Sequence, residues 1–220
     1  MKATLIGATG LIGGELLPLL LNDPAFEKVT LLLRRPLELT HPKLEKKLVD
    51  FNDADSMLIA LYEPDVIFCT VGTTRKKVKN DHAAYRKVDY DIPVHAARFG
   101  KMNGCRKFIL VSALGAKKGS NNFYLDLKGQ VEEDVTATGI PSIHFMRPSI
   151  LGGNRTESRP GEKAGIFIVK AISFLLPSRL KLSPASMVAN AMVSAAKSDK
   201  EGVFIYQNTE MKDLNSKFKI

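Results

Sequence analysis

Residues 2–22 read KATLIGATGLIGGELLPLLLN, an apolar strand running into four glycines, Gly7, Gly10, Gly13 and Gly14, and then into an apolar helix. This opening constrains the chain more than any other stretch. Gly7-Ala8-Thr9-Gly10-Leu11-Ile12-Gly13 has GxxGxxG spacing, which permits a tight turn and a close backbone approach. Thr9, Leu11 and Ile12 lie in the same loop, where the helix N-terminus offers N–H groups and partial positive charge to a pyrophosphate. A glycine turn without a ligand satisfies the same spacing, so the remaining sequence has to decide.

Downstream, strand-like runs recur at 28–35, 44–51, 65–72, 107–115 and 141–149, with helical segments at 81–102 and 124–139. A final strand is expected at 202–208, and a polar, peripheral tail after it. Alternating strands and helices predict an α/β, Rossmann-like doubly wound parallel sheet with helices on both faces. No internal linker or repeat interrupts it. The expectation is one NAD(P)-binding domain over 1–220, with a small C-terminal lobe and substrate-side elements mainly in 151–200. Pro18 lies inside the first helix and predicts a kink or a shortened first turn. SPASMVANAMVSAAK predicts a later helix with a Ser N-cap and Pro at its first position.

The second strand ends Leu33-Arg34-Arg35-Pro36, where an NAD-binding fold usually carries an acidic residue for the ribose 2′-OH. Two guanidinium groups suit a 2′-phosphate instead and predict NADP(H), although a solvated strand end also accommodates arginines. Asp50 and Phe51 follow the third strand as adenine neighbours, or as an ordinary turn. Thr70, Val71, Gly72 and Thr73 follow the fourth, where ribose and phosphates should pass.

Ser112 ends the strand FILVSALG, and Tyr124 and Lys128 follow at i, i+4 spacing on one helical face. A lysine beside a phenol favours its ionised form and makes it a usable acid or base. In this arrangement Ser112 would bond a substrate carbonyl, Tyr124 would donate the proton, and Lys128 would hold the nicotinamide ribose. The plain alternatives are a serine capping backbone and a surface pair on a helix.

GATGLIGGELL, CTVGTTR, YRKVDYD, FILVSALGA, YLDLKG, FMRPSILGG and ESRPGE, the last at 157–162, together cover most of the chain. With these stretches the sequence resembles the atypical branch of the short-chain dehydrogenase/reductase superfamily, and within it the HIV Tat-interactive protein family. The resemblance implies a Rossmann fold, NADPH in the glycine loop and a Ser112-Tyr124-Lys128 triad. It also implies that the backbone of Arg147, Pro148, Ser149 and Ile150 meets the nicotinamide carboxamide. One position departs: Asp89 stands in YRKVDYD where many reductases carry the asparagine of a catalytic tetrad.

The expected activity is NADPH-dependent reduction of a small carbonyl substrate; a non-catalytic NADP(H)-binding regulator acting through protein partners is the alternative. His41, His82, His95 and His144 show no metal-binding spacing, and no metal is expected. The net charge of +9 raises nucleic acid as a partner, but the basic run at 75–79 lacks interleaved aromatics, and none is expected. The apolar segment 164–177 is interrupted by Lys170 and too short to span a bilayer, so it predicts a substrate-side lid or a core helix. Two cysteines and no secretory signal predict a cytoplasmic protein. A homodimer is compatible with all of this.

Overall fold

The computed structural model describes residues 1–74, 78–79, 81–152 and 182–217. The basic residues 75–77, the ESRPGE stretch and the expected lid helix lie outside the described residues.

Seven strands form one parallel sheet: β1 (Lys2–Ile6), β2 (Lys28–Leu33), β3 (Leu44–Leu48), β4 (Val66–Cys69), β5 (Lys107–Val111), β6 (Ser142–Met146) and β9 (Gly202–Tyr206). Their order is β3-β2-β1-β4-β5-β6-β9, so the chain reverses direction across the sheet between β1 and β4. That reversal opens a crevice at the carboxyl ends of both strands, where such sheets bind ligands. A separate two-stranded parallel pair joins β7 (Leu151–Gly152) to β8 (Ser183–Pro184).

Side-chain alternation divides the core. Leu5, Leu31, Phe68 and Ile109 face one layer, formed by α1 (Leu11–Asn22), α6 (Ala185–Ala196) and α7 (Asn208–Lys217). Ile6, Leu32, Ile67, Phe108 and Leu110 face the other, formed by α2 (Ala54–Ala60), α4 (Ile92–Met102) and α5 (Phe123–Thr136). Leu16 and Leu20 of α1 meet the alanine-rich face of α6, whose small side chains let the two helices approach closely. Helix α1 runs continuously through Pro18.

The segment 81–102 is helical as expected, but α3 (His82–Arg86) passes through a π-turn (Lys87–Asp91) into α4. Pro93 lacks the N–H that would answer the Asp89 carbonyl in an α-helix, and the chain accommodates this with the wider turn. Residues 211–217 of the polar tail belong to α7 (Asn208–Lys217), which fully buried Met211 anchors. Ser183 does not cap α6, whose N-cap is Pro184; its hydroxyl donates instead to Asn208 Oδ1. Helix α2, capped by Asp53, has no counterpart in the sequence reading, because seven residues carry too little periodicity to register.

His144 on β6 is fully buried and stacks on Phe204 and Tyr206 of β9. Ser142 gives its hydroxyl proton to the Lys200 carbonyl at 2.8 Å and therefore accepts from His144 Nε2 at 2.9 Å. Tyr206 then donates to Nδ1 at 3.1 Å, which defines a neutral imidazole. Burial, with the nearby Lys107 charge, pushes its pKa down to about 4. The unfolded chain binds this proton near the ordinary value of 6.5 and the folded chain only near 4, so stability is lost as pH falls through that window. The loss should reach ~3 kcal/mol. Urea melts between pH 7 and pH 4.5 check this: His144→Gln should flatten the slope, and an unchanged slope would refute the assignment.

Candidate NAD(P)H site

The glycine loop joins β1 to α1 at the crevice. Gly7 has φ +95°, a backbone conformation side chains rarely adopt, and a Cβ there would lie 2.7 Å from Thr70 Oγ1. At Gly13 a Cβ would fall 2.1 Å from the Gly7 carbonyl oxygen. Thr70 fixes the turn by donating its hydroxyl to the carbonyls of Ile6 and Gly7, each at 3.1 Å. Gly10, the N-cap of α1, provides no side-chain cap, and the first helical turn carries no acidic residue. Leu11, Ile12 and Gly13 therefore present N–H groups without a helical partner, beside exposed Thr9. Such a cradle fits a pyrophosphate.

One strand over, Arg34 lines a cavity of about 380 Å³ with Leu48, Val49, Asp50, Phe51 and Asn52. Arg35 is exposed beside it but does not line the cavity. Asp50 accepts from Asn52 N–H at 2.9 Å and from Asn52 Nδ2 at 3.0 Å, both on Oδ1, and these bonds hold its carboxyl below the usual range. Phe51 packs against the core below.

On the other side of the crevice, α5 starts at Asn122, whose side chain caps the N–H groups of Tyr124 and Leu125. Tyr124, Lys128 and Glu132 follow at intervals of one turn on one face. Lys128 Nζ lies 5.9 Å from the centre of the half-buried Tyr124 ring. Tyr85 meets that ring edge-on at 6.3 Å and the Phe123 ring edge-on at 5.8 Å, and His82 stacks on Phe123 at 4.0 Å. Gly129 matters for packing: a Cβ there would lie 2.1 Å from the Lys118 backbone nitrogen, so the loop after β5 can rest on α5 only with glycine there.

Ser112 follows directly on β5. Continuing the alternation of β5, its side chain faces α5, is buried, and donates to Glu132 Oε1 at 2.5 Å. Arg147, at the end of β6, donates its Nε to the same oxygen at 2.9 Å and its terminal nitrogen to Oε2. The Arg147 side chain thus faces inward. Buried Pro148 accepts from Leu114 N–H through its carbonyl, and Ile150 is exposed beyond it. Ser149, Ser183 and Asn208 form a hydrogen-bonded group that ties this loop to β8 and α7.

Sequence reasoning gave no role to Glu132 or Thr73's backbone, and noted Asp89 only as a departure. Glu132 had one available signal, its position one turn beyond Lys128.

Residues 7–165 match the NAD(P)H-binding family. HTATIP2 of Rattus norvegicus is 38% identical over 161 residues, covering 72% of this chain and 66% of that protein. The mitochondrial protein fmp52 of Aspergillus clavatus is 34% identical over 210 residues, covering 91% and 89% respectively. Among solved structures, the Bordetella bronchiseptica enzyme WbmH in complex with NAD+ shares the fold, with TM-score 0.71 and 18% identity over 98% of this chain and 79% of its own.

The fungal name overturns the expectation of a cytoplasmic protein. That expectation rested on few cysteines and no secretory signal, and neither distinguishes the cytosol from a mitochondrion. The match over residues 7–165, with relatives above 30% identity over most of the chain, makes this protein a member of the NAD(P)H-binding, oxidoreductase-like family that includes HTATIP2 and FMP52.

Proposed function

We propose that this protein is an NADPH-dependent reductase of a small carbonyl compound, built as one domain over residues 1–220, with Tyr124 as proton donor. The observation that carries the reading is Tyr124 set one turn from Lys128 on the face of α5 that borders the glycine loop's crevice. NADPH, when bound, supplies the hydride. The Tyr124 hydroxyl holds the proton that the carbonyl oxygen takes up as its carbon is reduced. Lys128 holds the nicotinamide ribose, and Thr70, Val71, Gly72 and Thr73 border the cofactor's path. The backbone of Arg147, Pro148 and Ile150 supports the carboxamide edge.

Ser112 receives a different role from the one the triad suggests. Its hydroxyl proton is committed to Glu132, so it braces β5 against α5 and Tyr124 alone serves the carbonyl oxygen. The test is NADPH oxidation against a panel of aldehydes and ketones. No turnover with tight NADPH binding would favour the second reading, a cofactor-binding regulator acting on protein partners, which the engagement of Ser112 also supports.

For the cofactor, Arg34 at the cavity rim supports a 2′-phosphate contact, with Arg35 adding positive charge. Arg34→Ala should weaken NADPH about 10- to 100-fold, the worth of one hydrogen bond to a charged group, while leaving NADH nearly unchanged. Fluorescence titration with both cofactors checks this, and equal losses would count against NADPH preference.

A further inference from the structure

Beneath Tyr124 lies an ion pair closed off from water. Lys128 Nζ is 3.1 Å from Asp89 Oδ1, and the two side chains are 4% and 2% exposed. The other carboxylate oxygen, Oδ2, accepts the Thr73 N–H at 2.7 Å. Asp89 reaches this place from the π-turn ahead of Pro93, so the irregularity of that helix and the pair are one local arrangement.

An ammonium buried this deeply without a counter-charge sheds its proton, because desolvation disfavours the charged form. Burial acts on Lys128 in that direction, and the Asp89 charge outweighs it and holds the ammonium above its usual value. The other groups facing Lys128 are the Tyr124 phenol and the Cys69 thiol, which burial pushes up to about 11 and so keeps neutral near pH 7. Asp89 is therefore the counter-charge that the described surroundings of Lys128 provide.

Resting on the reductase reading above, we propose that Asp89 is a positioning residue that keeps Lys128 charged and anchored below Tyr124. Asparagine cannot take its place in this geometry. The carboxylate accepts with both oxygens, one from an N–H and one from an ammonium, whereas an amide would turn its NH₂ against one of these donors.

The test reads Lys128 directly, by the pH dependence of its ¹³Cε resonance in ligand-free protein, assigned by its loss in Lys128→Met. In the wild type the resonance should stay at its charged position from about pH 6 to 9, and in Asp89→Asn it should titrate within that range, about half neutral by pH 7. NADPH affinity of Asp89→Asn should fall about tenfold at pH 8 and recover at pH 6, with no such recovery when Lys128→Met is added. Asp89→Ser carries the same prediction if the asparagine variant folds poorly. A wild-type Lys128 that titrates between pH 6 and 9 overturns the proposal, as does Asp89→Asn with Lys128 still charged there. An equal NADPH loss from Asp89→Asn in the Lys128→Met background also overturns it. Failure to reduce any carbonyl would sink the reductase reading and leave the ligand-free measurement intact.

Discussion

Tyr124→Phe is expected to lower turnover of a carbonyl substrate by about 10²- to 10⁴-fold, the usual worth of a positioned general acid. The substitution removes one hydroxyl and keeps the ring, so the edge contact with Tyr85 and the packing over Lys128 should survive. NADPH affinity should therefore change by less than about threefold, and the melting temperature should stay within about 2 °C, as for a substitution outside the core. Turnover, cofactor titration and a thermal melt on one preparation separate these outcomes. Undiminished turnover would remove Tyr124 from the chemistry. A fall in turnover matched by lost NADPH binding would make the tyrosine a cofactor contact and not a proton donor.

Glu132→Ala is expected to be the most destabilising of these substitutions, by about 3–5 kcal/mol, because removing one partner of a buried ion pair strands the other. The Glu132 and Arg147 side chains are 9% and 19% exposed, so solvent screens the pair little. The same carboxylate takes the Ser112 hydroxyl, which would also lose its partner. A thermal melt should show a drop of roughly 10 °C for a chain of this size. Ser112→Ala removes only one arm of the group and should cost about 1 kcal/mol, with turnover largely kept. If Ser112→Ala instead abolishes turnover without loss of stability, the serine belongs to the chemistry and the bracing role fails.

Asp89 and Glu132 show why the site was only partly legible. Tyr124 and Lys128 are one helical turn apart, and their adjacency follows from the period of the helix alone. Asp89 is 39 positions before Lys128, and which of its neighbours turns inward depends on a π-turn that shifts the register of the helix face. Glu132 shares its helix face with Lys128, but its partners come from the ends of two strands. For Ser112 the place at the end of β5 was legible, whereas its bond to Glu132 depends on an acceptor brought in by α5.

Sequence alone determined the glycine loop, the parallel sheet and the Tyr124–Lys128 pair, because each rests on local conformational rules: backbone freedom at glycine, strand and helix periodicity, and i, i+4 spacing. Tertiary structure alone decided that Ser112 braces Glu132, that Asp89 clamps Lys128, and that the polar tail folds back as α7 over α6. Those outcomes depend on which buried donor meets which acceptor across elements distant in the chain, and burial makes the match compulsory because an unpaired polar group there costs more than the bond itself contributes.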